Sequence, residues 1–188
     1  MKGSKMNIEK NEIALLAGGC FWCMESIFDE VPGVVKVISG YTGGKVESPT
    51  YEQVSTGKTG HYETVKIIFN PQKTSYDQLL KIFWHSIDPF DDKGQFCDKG
   101  PSYRSAIFYQ DNLQKETAEI SKKNIEALLK RPVVTDIIAA STFYSAEDHH
   151  QEYHKKNPVS YKVYRYDRDQ RLEEIWGLTP EQLYVANL

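Results

Sequence analysis

The chain has 188 residues, of which 40% are hydrophobic, and its 23 Lys and Arg against 26 Asp and Glu give a formal net charge of −3. This composition predicts one folded domain over residues 1–188 and excludes a disordered chain, and the interspersed charges offer no basic stripe to a nucleic acid. The longest apolar runs are too short to cross a bilayer and the first ten residues lack the apolar stretch of a secretory signal, so we expect a cytoplasmic monomer that binds no membrane.

The first elements follow from apolar periodicity. Glu12 to Gly18 is a short apolar run that ends in glycine, which indicates a buried strand, and residues 21–31 repeat apolar positions at intervals of three and four, which indicates a helix. Alternating or continuous apolar runs predict strands over 34–41 and 61–70. A helix with Ser75 as its N-cap residue follows the second of these strands.

The later elements are less regular, and their order decides the fold class. In chain order we predict a loop over 88–102, a strand over 103–110, a helix over 112–130, a strand or edge segment over 135–146 and a short helix over 146–158. The order βαββαβ up to the strand over 103–110 is typical of a ferredoxin-like split βαβ arrangement. We therefore expect an α+β protein with a core over about 12–161 and a polar C-terminal tail over 162–188.

Cys20 follows the first strand directly and begins the first helix. The free N–H groups and the positive end of a helix stabilise a thiolate, so we expect the pKa of Cys20 to lie below its usual ~8.5. Gly18 and Gly19 would let the backbone approach a substrate closely, and Phe21 and Trp22 would wall an apolar pocket beside the sulfur. A thiolate beside aromatic rings suits a soft, apolar substrate group such as a thioether or its oxide.

Three explanations of the cysteines remain open from the residues alone. The spacing Cys20-x-x-Cys23 between a strand and a helix is also used by thioredoxin-like disulfide oxidoreductases. A zinc site could combine these two thiols with Cys97 and one histidine, but no second pair with the usual spacing is present, which disfavours zinc. The third explanation is a catalytic nucleophile with a resolving thiol. The odd number of cysteines argues against a secreted disulfide framework.

Several motifs in a fixed order favour the third explanation. The chain contains GCFWCMES, GYTGG, PTYEQV, TGHYETV, GPSYRSAIFY and AEDHHQEYHKKNP in succession. This series resembles the A-type peptide methionine sulfoxide reductases, which act on the S epimer, and the similarity runs from about Ala17 to Tyr161. The resemblance implies a ferredoxin-like two-layer α/β sandwich with a C-terminal extension.

The resemblance also implies roles for individual residues. Cys20 would be the nucleophile, Glu63 the acid that protonates the departing oxygen, and Tyr51 and Tyr103 the phenols that hydrogen-bond this oxygen. The remaining family positions would bind the substrate: Phe21, Trp22, Asp98, His150, Tyr153 and Tyr161. His149 and His154 are expected to be solvated histidines of the short helix.

The implied cycle needs a second thiol and an external reductant. Cys20 would become a sulfenic acid, condense to a disulfide with Cys97 or Cys23, and be regenerated by thioredoxin or, in vitro, by dithiothreitol. Many relatives carry resolving cysteines in the tail, which here has none; we slightly favour Cys97, on a glycine-containing loop, over Cys23. Substrates would be oxidised proteins and free methionine sulfoxide, with no metal, flavin or nucleotide. The alternatives are a thioredoxin-like oxidoreductase and a non-catalytic redox sensor.

Overall fold

In the computed structural model of the protein, residues 11–177 are described. The strands are β1 (Glu12–Gly18), β2 (Val34–Thr42), β3 (Tyr62–Phe69), β4 (Gly94–Gln95), β5 (Asp98–Lys99), β6 (Ser105–Tyr109), β7 (Asp136–Ala139) and β8 (Tyr144–Ser145). The α-helices are α1 (Phe21–Asp29), α2 (Tyr51–Ser55), α3 (Tyr76–His85), α4 (Asn112–Leu129), α5 (Tyr153–Lys156), α6 (Pro158–Tyr164) and α7 (Tyr166–Trp176), and a 3₁₀ turn spans Pro101–Tyr103.

Six strands form one sheet in the order β7-β6-β1-β3-β2-β8. The four central strands pair antiparallel, with β1 between β3 and β6, and β7 pairs parallel to β6. The predicted succession of β1, α1, β2, β3, α3 and β6 is therefore present, and the α+β class is confirmed. Among residues 11–177, no helix combines the length and the apolar character that a membrane span requires.

The side chains of β1 alternate between two apolar clusters. Ala14 and Leu16 join the larger cluster with residues of α1, α3 and α4, whereas Leu15 and Ala17 face the other side with Phe108. This period of two is what a strand covered on both faces requires. This alternation determines which face of the sheet α1 covers. It therefore also determines which strand residues can contact the first turn of α1.

Helix capping explains two helices: α3, which was predicted, and α2, which was not. Ser75 caps α3 as predicted, accepting from the backbone N–H of Gln78 in a capping box. The segment between β2 and β3, for which no helix was predicted, contains α2, whose N-cap Thr50 forms the same arrangement with Gln53. The cap compensates for the shortness of α2, and α2 brings Tyr51 towards the start of α1.

The C-terminal part departs most from the prediction. The helix expected over 146–158 is reduced to α5, because Glu152 takes φ of 53°, a left-handed conformation that interrupts a helix. The loop predicted over 88–102 contains the hairpin of β4 and β5 and a 3₁₀ turn. The predicted boundary between core and tail falls inside α6, and α7 follows; tail residues 178–188 lie outside the described residues.

Candidate active site

Glu63 lies at the start of α1, directly beside the predicted nucleophile. Cys20 is the N-cap residue of α1, and the backbone N–H of Phe21 donates to Oε2 of Glu63 at 3.0 Å. The Glu63 side chain is 2% exposed. Burial raises the pKa of Glu63 to about 8, only partly opposed by the Phe21 hydrogen bond. The carboxyl is therefore mainly protonated at pH 7 and can donate a proton next to Cys20.

The expected low pKa of Cys20 is wrong for this resting state. Burial, followed by hydrogen bonding to Cys23, raises the pKa of the Cys20 thiol. The same Cys20–Cys23 hydrogen bond lowers the pKa of Cys23. The physical reason is burial, which disfavours the charged thiolate and outweighs the effect of the helix start. In the resting thiol pair, Cys20 is the proton donor and Cys23 is the favoured site of negative charge.

The two glycines before Cys20 serve packing rather than an open approach for substrate. A Cβ atom on Gly18 would lie 2.5 Å from Sδ of Met24, and one on Gly19 would lie 2.5 Å from Cβ of Gln95. Gly19 also takes φ of +85°, which side chains rarely adopt. The glycines are therefore needed because α1 and β4 pack tightly against the turn that presents Cys20.

The two predicted tyrosines meet at Glu63 from separate elements. Tyr51 is the first residue of α2, and Tyr103 ends the 3₁₀ turn rather than starting a strand as predicted. The Tyr103 hydroxyl is hydrogen-bonded to Tyr51 and to Glu63. Burial raises the pKa of both phenols, so they stay neutral O–H donors at neutral pH. The structure thus brings together three proton-bearing groups at the start of α1.

An aromatic cluster lies on the outer side of the first turn of α1. The ring of Trp22 stacks on Tyr153 with centroids 3.8 Å apart, and His150 lies 4.4 Å from Tyr51 and 5.3 Å from Phe21. Burial lowers the pKa of His150, which keeps its imidazole neutral. These four predicted binding residues, Phe21, Trp22, His150 and Tyr153, form one apolar wall beside Tyr51.

Three residues that the sequence analysis did not single out connect the segment before α5 to β2, α1 and α2. The side-chain amide of Gln151 bonds the backbone N–H and C=O of Ser39 at 3.0 and 2.9 Å, as a strand partner would. The buried Glu25 carboxylate accepts from the N–H of Glu152. Residues that satisfy distant backbone groups carry no periodic pattern, so the signal in the sequence for these three is their place inside the motifs GCFWCMES and AEDHHQEYHKKNP.

Glu147 is the third of these residues, and it positions Tyr51. Its carboxylate accepts from the backbone N–H of Tyr51 at 2.8 Å and from the hydroxyl of Tyr41 at 2.9 Å. Both bonds hold the start of α2, which is only five residues long, against β2. Glu147 therefore fixes where the Tyr51 phenol points.

All three cysteines line one pocket on the other side of Cys20. Its lining residues are Gly18, Cys20, Cys23, Phe96, Cys97, Asp98, Tyr164 and Arg168. Cys20 and Cys23 are buried, whereas Cys97 is exposed at the tip of the β4–β5 hairpin. Among residues 11–177, no group of three or more His, Cys, Asp or Glu side chains has an arrangement that could hold a metal ion.

Tyr164, which the sequence analysis did not single out, lies beside Cys20. The Tyr164 hydroxyl donates to Oδ2 of Asp98 and is also hydrogen-bonded to Cys20. The predicted residue Tyr161 is buried one turn earlier in α6, beside Ser26 and with its ring 6.0 Å from His154. Helix α6, which was not predicted, turns Tyr164 towards the Cys20 sulfur, and the substrate-binding role of Tyr161 stays a prediction. His154, expected to be solvated, is half-buried in the same contact, whereas His149 is exposed.

The chain matches known proteins over most of its length. A family model described as peptide methionine sulfoxide reductase matches residues 12–178. The chain is 53% identical over 173 residues to peptide methionine sulfoxide reductase MsrA of Bacillus subtilis (strain 168), covering 90% of this chain and 98% of that protein.

Solved structures with these names share the architecture. Methionine sulfoxide reductase A of Corynebacterium diphtheriae superposes with a TM-score of 0.73 at 32% identity, over 84% of this chain and 80% of that chain. Mxr1 from Saccharomyces cerevisiae in complex with Trx2 superposes with a TM-score of 0.56 at 19% identity, over 81% and 91% of the two chains, and shares the fold.

Proposed function

The chain belongs to the peptide methionine sulfoxide reductase family, and from this membership we propose that it reduces the S epimer of methionine sulfoxide to methionine, in proteins and as the free amino acid. The observation that carries the proposal is the pairing of a cysteine with a protonated carboxyl at one helix start. Glu63 accepts from the N–H that directly follows Cys20, and burial raises the pKa of Glu63 to about 8.

The first step is an attack by the Cys20 sulfur on the sulfoxide sulfur. The sulfoxide sulfur is reduced by two electrons and its S–O bond breaks, while the Cys20 sulfur is oxidised and ends as a sulfenic acid. Glu63 donates a proton to the oxygen as that bond weakens, because an oxygen that carries no proton is a poor leaving group. The Cys20 proton returns the carboxyl to its acid form, so the step is balanced in protons.

Neutral donors complete the oxygen side of the site. The phenols of Tyr51 and Tyr103, already hydrogen-bonded to each other, can turn to the sulfoxide oxygen as negative charge develops there. The wall of Phe21, Trp22, His150 and Tyr153 receives the methyl group and side chain of the substrate. Asp98 acts on the other side of Cys20 through Tyr164.

Cys23 is the better resolving thiol. It is hydrogen-bonded to Cys20 one helical turn away, and that hydrogen bond lowers the pKa of Cys23. Cys97 lines the same pocket but lies on the exposed hairpin, and burial together with the nearby Asp98 charge raises the pKa of Cys97. The preference stated from the sequence is therefore reversed in favour of Cys23.

Thioredoxin is the proposed reductant of the resulting disulfide. Its chemistry is thiol–disulfide exchange, which a disulfide at the start of a helix can undergo. A cycle through free thiols needs a reducing compartment such as the cytoplasm. We place the reductase domain over the whole chain, since α6 and α7 both contribute side chains to the cysteine pocket.

The proposal is tested with a sulfoxide peptide resolved into its two epimers. We expect the wild type to form methionine from the S epimer with dithiothreitol, and to leave the R epimer unchanged. Cys20→Ser removes the nucleophile, so no methionine should form above the uncatalysed rate. Cys97→Ser, a cysteine change in the same pocket, is expected to retain methionine formation.

Two results would contradict the proposal in different ways. Reduction of insulin disulfides without sulfoxide turnover would identify a thioredoxin-like oxidoreductase, which the Cys20-x-x-Cys23 spacing also permits. Binding of methionine sulfoxide without any turnover by the wild type would identify a sensor.

Removal of the Glu147 carboxylate should displace Tyr51. Glu147→Gln leaves one acceptor oxygen where two donors need one each, so one of the bonds to Tyr51 and Tyr41 is lost. We expect kcat/KM for the S epimer to fall about tenfold, corresponding to the ~1.4 kcal/mol that a displaced hydrogen-bond donor costs. Steady-state kinetics with dithiothreitol measures this change. Glu119→Gln, on the exposed face of α4, should leave kcat/KM unchanged.

A further inference from the structure

Helix α7 places an under-compensated cation in the cysteine pocket. Arg168 is 4% exposed and lines the pocket with Cys20 and Cys23. One guanidinium nitrogen donates to the carbonyl of Ser86 at 2.8 Å, while Nε has no hydrogen-bond partner among the described residues. Its ion pair with Asp169 is long, at 3.9 Å, and its guanidinium carbon lies 5.5 Å from the centre of the Phe96 ring. A buried cation with so little compensation is costly unless an anion forms beside it.

Neighbouring arginines on the same segment are compensated by carboxylates. Arg165 donates to both carboxylate oxygens of Asp169, at 2.8 and 3.1 Å. Arg171 pairs with Asp88 at 2.8 Å and with Glu174 at 3.0 Å. Asp169 is thus already engaged by Arg165, which leaves the charge of Arg168 available to the pocket.

Cys23 is the group on which this charge acts. After the hydrogen bond from Cys20 and the opposing effect of burial, the positive charge of Arg168 is the next cause that shifts the pKa of Cys23, and it lowers that pKa. Asp98 acts in the opposite direction. The charged and titratable groups around Cys23 are Cys20 at the N-cap of α1, Glu63 on β3, Cys97 at the tip of the β4–β5 hairpin, Asp98 on β5, Tyr161 and Tyr164 on α6, Arg165 between α6 and α7, and Arg168 on α7.

The need for Arg168 arises when Cys20 is oxidised. The Cys20 thiol that hydrogen-bonds Cys23 in the resting pair has then become a sulfenic acid, so that S–H donor is lost. The guanidinium groups of Arg165 and Arg168 then remain to stabilise negative charge on Cys23. Of these two, Arg168 lines the pocket.

We propose that Arg168 is a positioning residue that holds Cys23 as the attacking thiolate during resolution of oxidised Cys20. This inference rests on the function proposed above. The Cys23 sulfur attacks the sulfur of the Cys20 sulfenic acid, the S–S bond forms and the S–O bond breaks. The departing hydroxide takes one proton and leaves as water. Cys23 is oxidised and the sulfenic sulfur is reduced to the disulfide level, so no further reductant enters the step.

The test separates the two chemical steps in a single turnover. Fully reduced protein is mixed with one equivalent of the S-epimer peptide without reductant, and methionine formation, sulfenic acid trapped by dimedone, and loss of free thiols are followed at pH 6 to 9.5. For Arg168→Gln we expect methionine formation at the wild-type rate. Disulfide formation at pH 7 should slow about tenfold, because loss of the buried positive charge raises the pKa of Cys23 and so lowers its thiolate fraction. The rate should recover at pH 9.

Two further variants distinguish the effect of losing the positive charge from the effect of disturbing the fold. Arg168→Lys keeps the positive charge and is expected to restore most of the disulfide rate at pH 7. Arg171→Gln makes the same change on the same helix, in an arginine whose charge is paired with Asp88 and Glu174, and should leave the disulfide pH profile unchanged.

Unchanged disulfide kinetics and pH profile in Arg168→Gln would overturn the inference. Equal slowing of methionine formation and thiol loss at every pH would overturn it as well, since that result indicates a structural role. Absence of methionine formation by the wild type would instead reject the proposed function, so the two failures are distinguishable.

Discussion

Glu63→Gln is expected to slow methionine formation by about 10²- to 10⁴-fold, the range that a positioned general acid contributes. Gln occupies nearly the same volume and can accept from the Phe21 N–H, but it has no proton to give to the departing oxygen. In the wild type the rate of this step should fall as the pH rises through about 8, because Glu63 loses its proton there. The variant should lack this dependence. Single-turnover methionine formation between pH 6 and 9.5 measures both effects.

The same substitution should stabilise the protein at alkaline pH. Burial raises the folded-state pKa of Glu63 from the ordinary 4.5 to about 8, so the unfolded chain releases this proton first. The contribution of protonated Glu63 to the free energy of unfolding is fully present below about pH 4.5. It is lost progressively as the pH rises to about 8. Gln carries no charge at any pH and avoids that loss. We expect the variant's advantage in unfolding free energy to grow between these pH values to a few kcal/mol, by denaturant titration.

Two outcomes would contradict the role of Glu63. Methionine formation by Glu63→Gln at the wild-type rate would show that the proton comes from elsewhere. An advantage in stability that does not change with pH would show that the Glu63 carboxyl is ionised throughout. Glu119→Gln on the exposed face of α4 serves as the control, and both its activity and its stability should match the wild type.

With thioredoxin as the reductant, Cys23→Ser should stop the cycle after one methionine per protein. The proposed nucleophile Cys20 and the proposed acid Glu63 are intact in this variant, so we expect the first step to proceed and the sulfenic acid to accumulate. Turnover with thioredoxin should fall roughly a hundredfold or more, because an intramolecular thiol at a high effective concentration is lost. Activity with dithiothreitol should be retained in large part, since this small thiol can reach the pocket and reduce the sulfenic acid directly.

Cys97→Ser is the matched control for this prediction. Cys97 lines the same pocket but is exposed, so its removal should leave the thioredoxin-dependent rate and the Cys20–Cys23 disulfide in place. Peptide mapping of the oxidised protein gives the decisive observation. A link between Cys20 and Cys97 would contradict the assignment of Cys23.

Local sequence determined the elements that depend on near neighbours. The apolar run of β1, the three-and-four periodicity of α1 and the Ser75 cap of α3 are short-range features, and all three are present in the structure. Resemblance of the ordered motifs identified Cys20 and Glu63 together, although 42 residues separate the Glu63 carboxylate from the backbone N–H that it accepts from. The short helix α2 was missed because its cap, rather than its apolar period, stabilises it.

Only the tertiary structure decided how charge is distributed over the site. A helix start predicts a thiolate on Cys20, but burial raises the pKa of Cys20, and the hydrogen bond from Cys20 lowers the pKa of Cys23, so the negative charge is favoured on Cys23. Likewise α6 brings Tyr164 rather than Tyr161 to the sulfur, and α7 buries Arg168 beside it. Burial and competition for hydrogen-bond donors are properties of elements packed together from distant parts of the chain, so no local pattern encodes them.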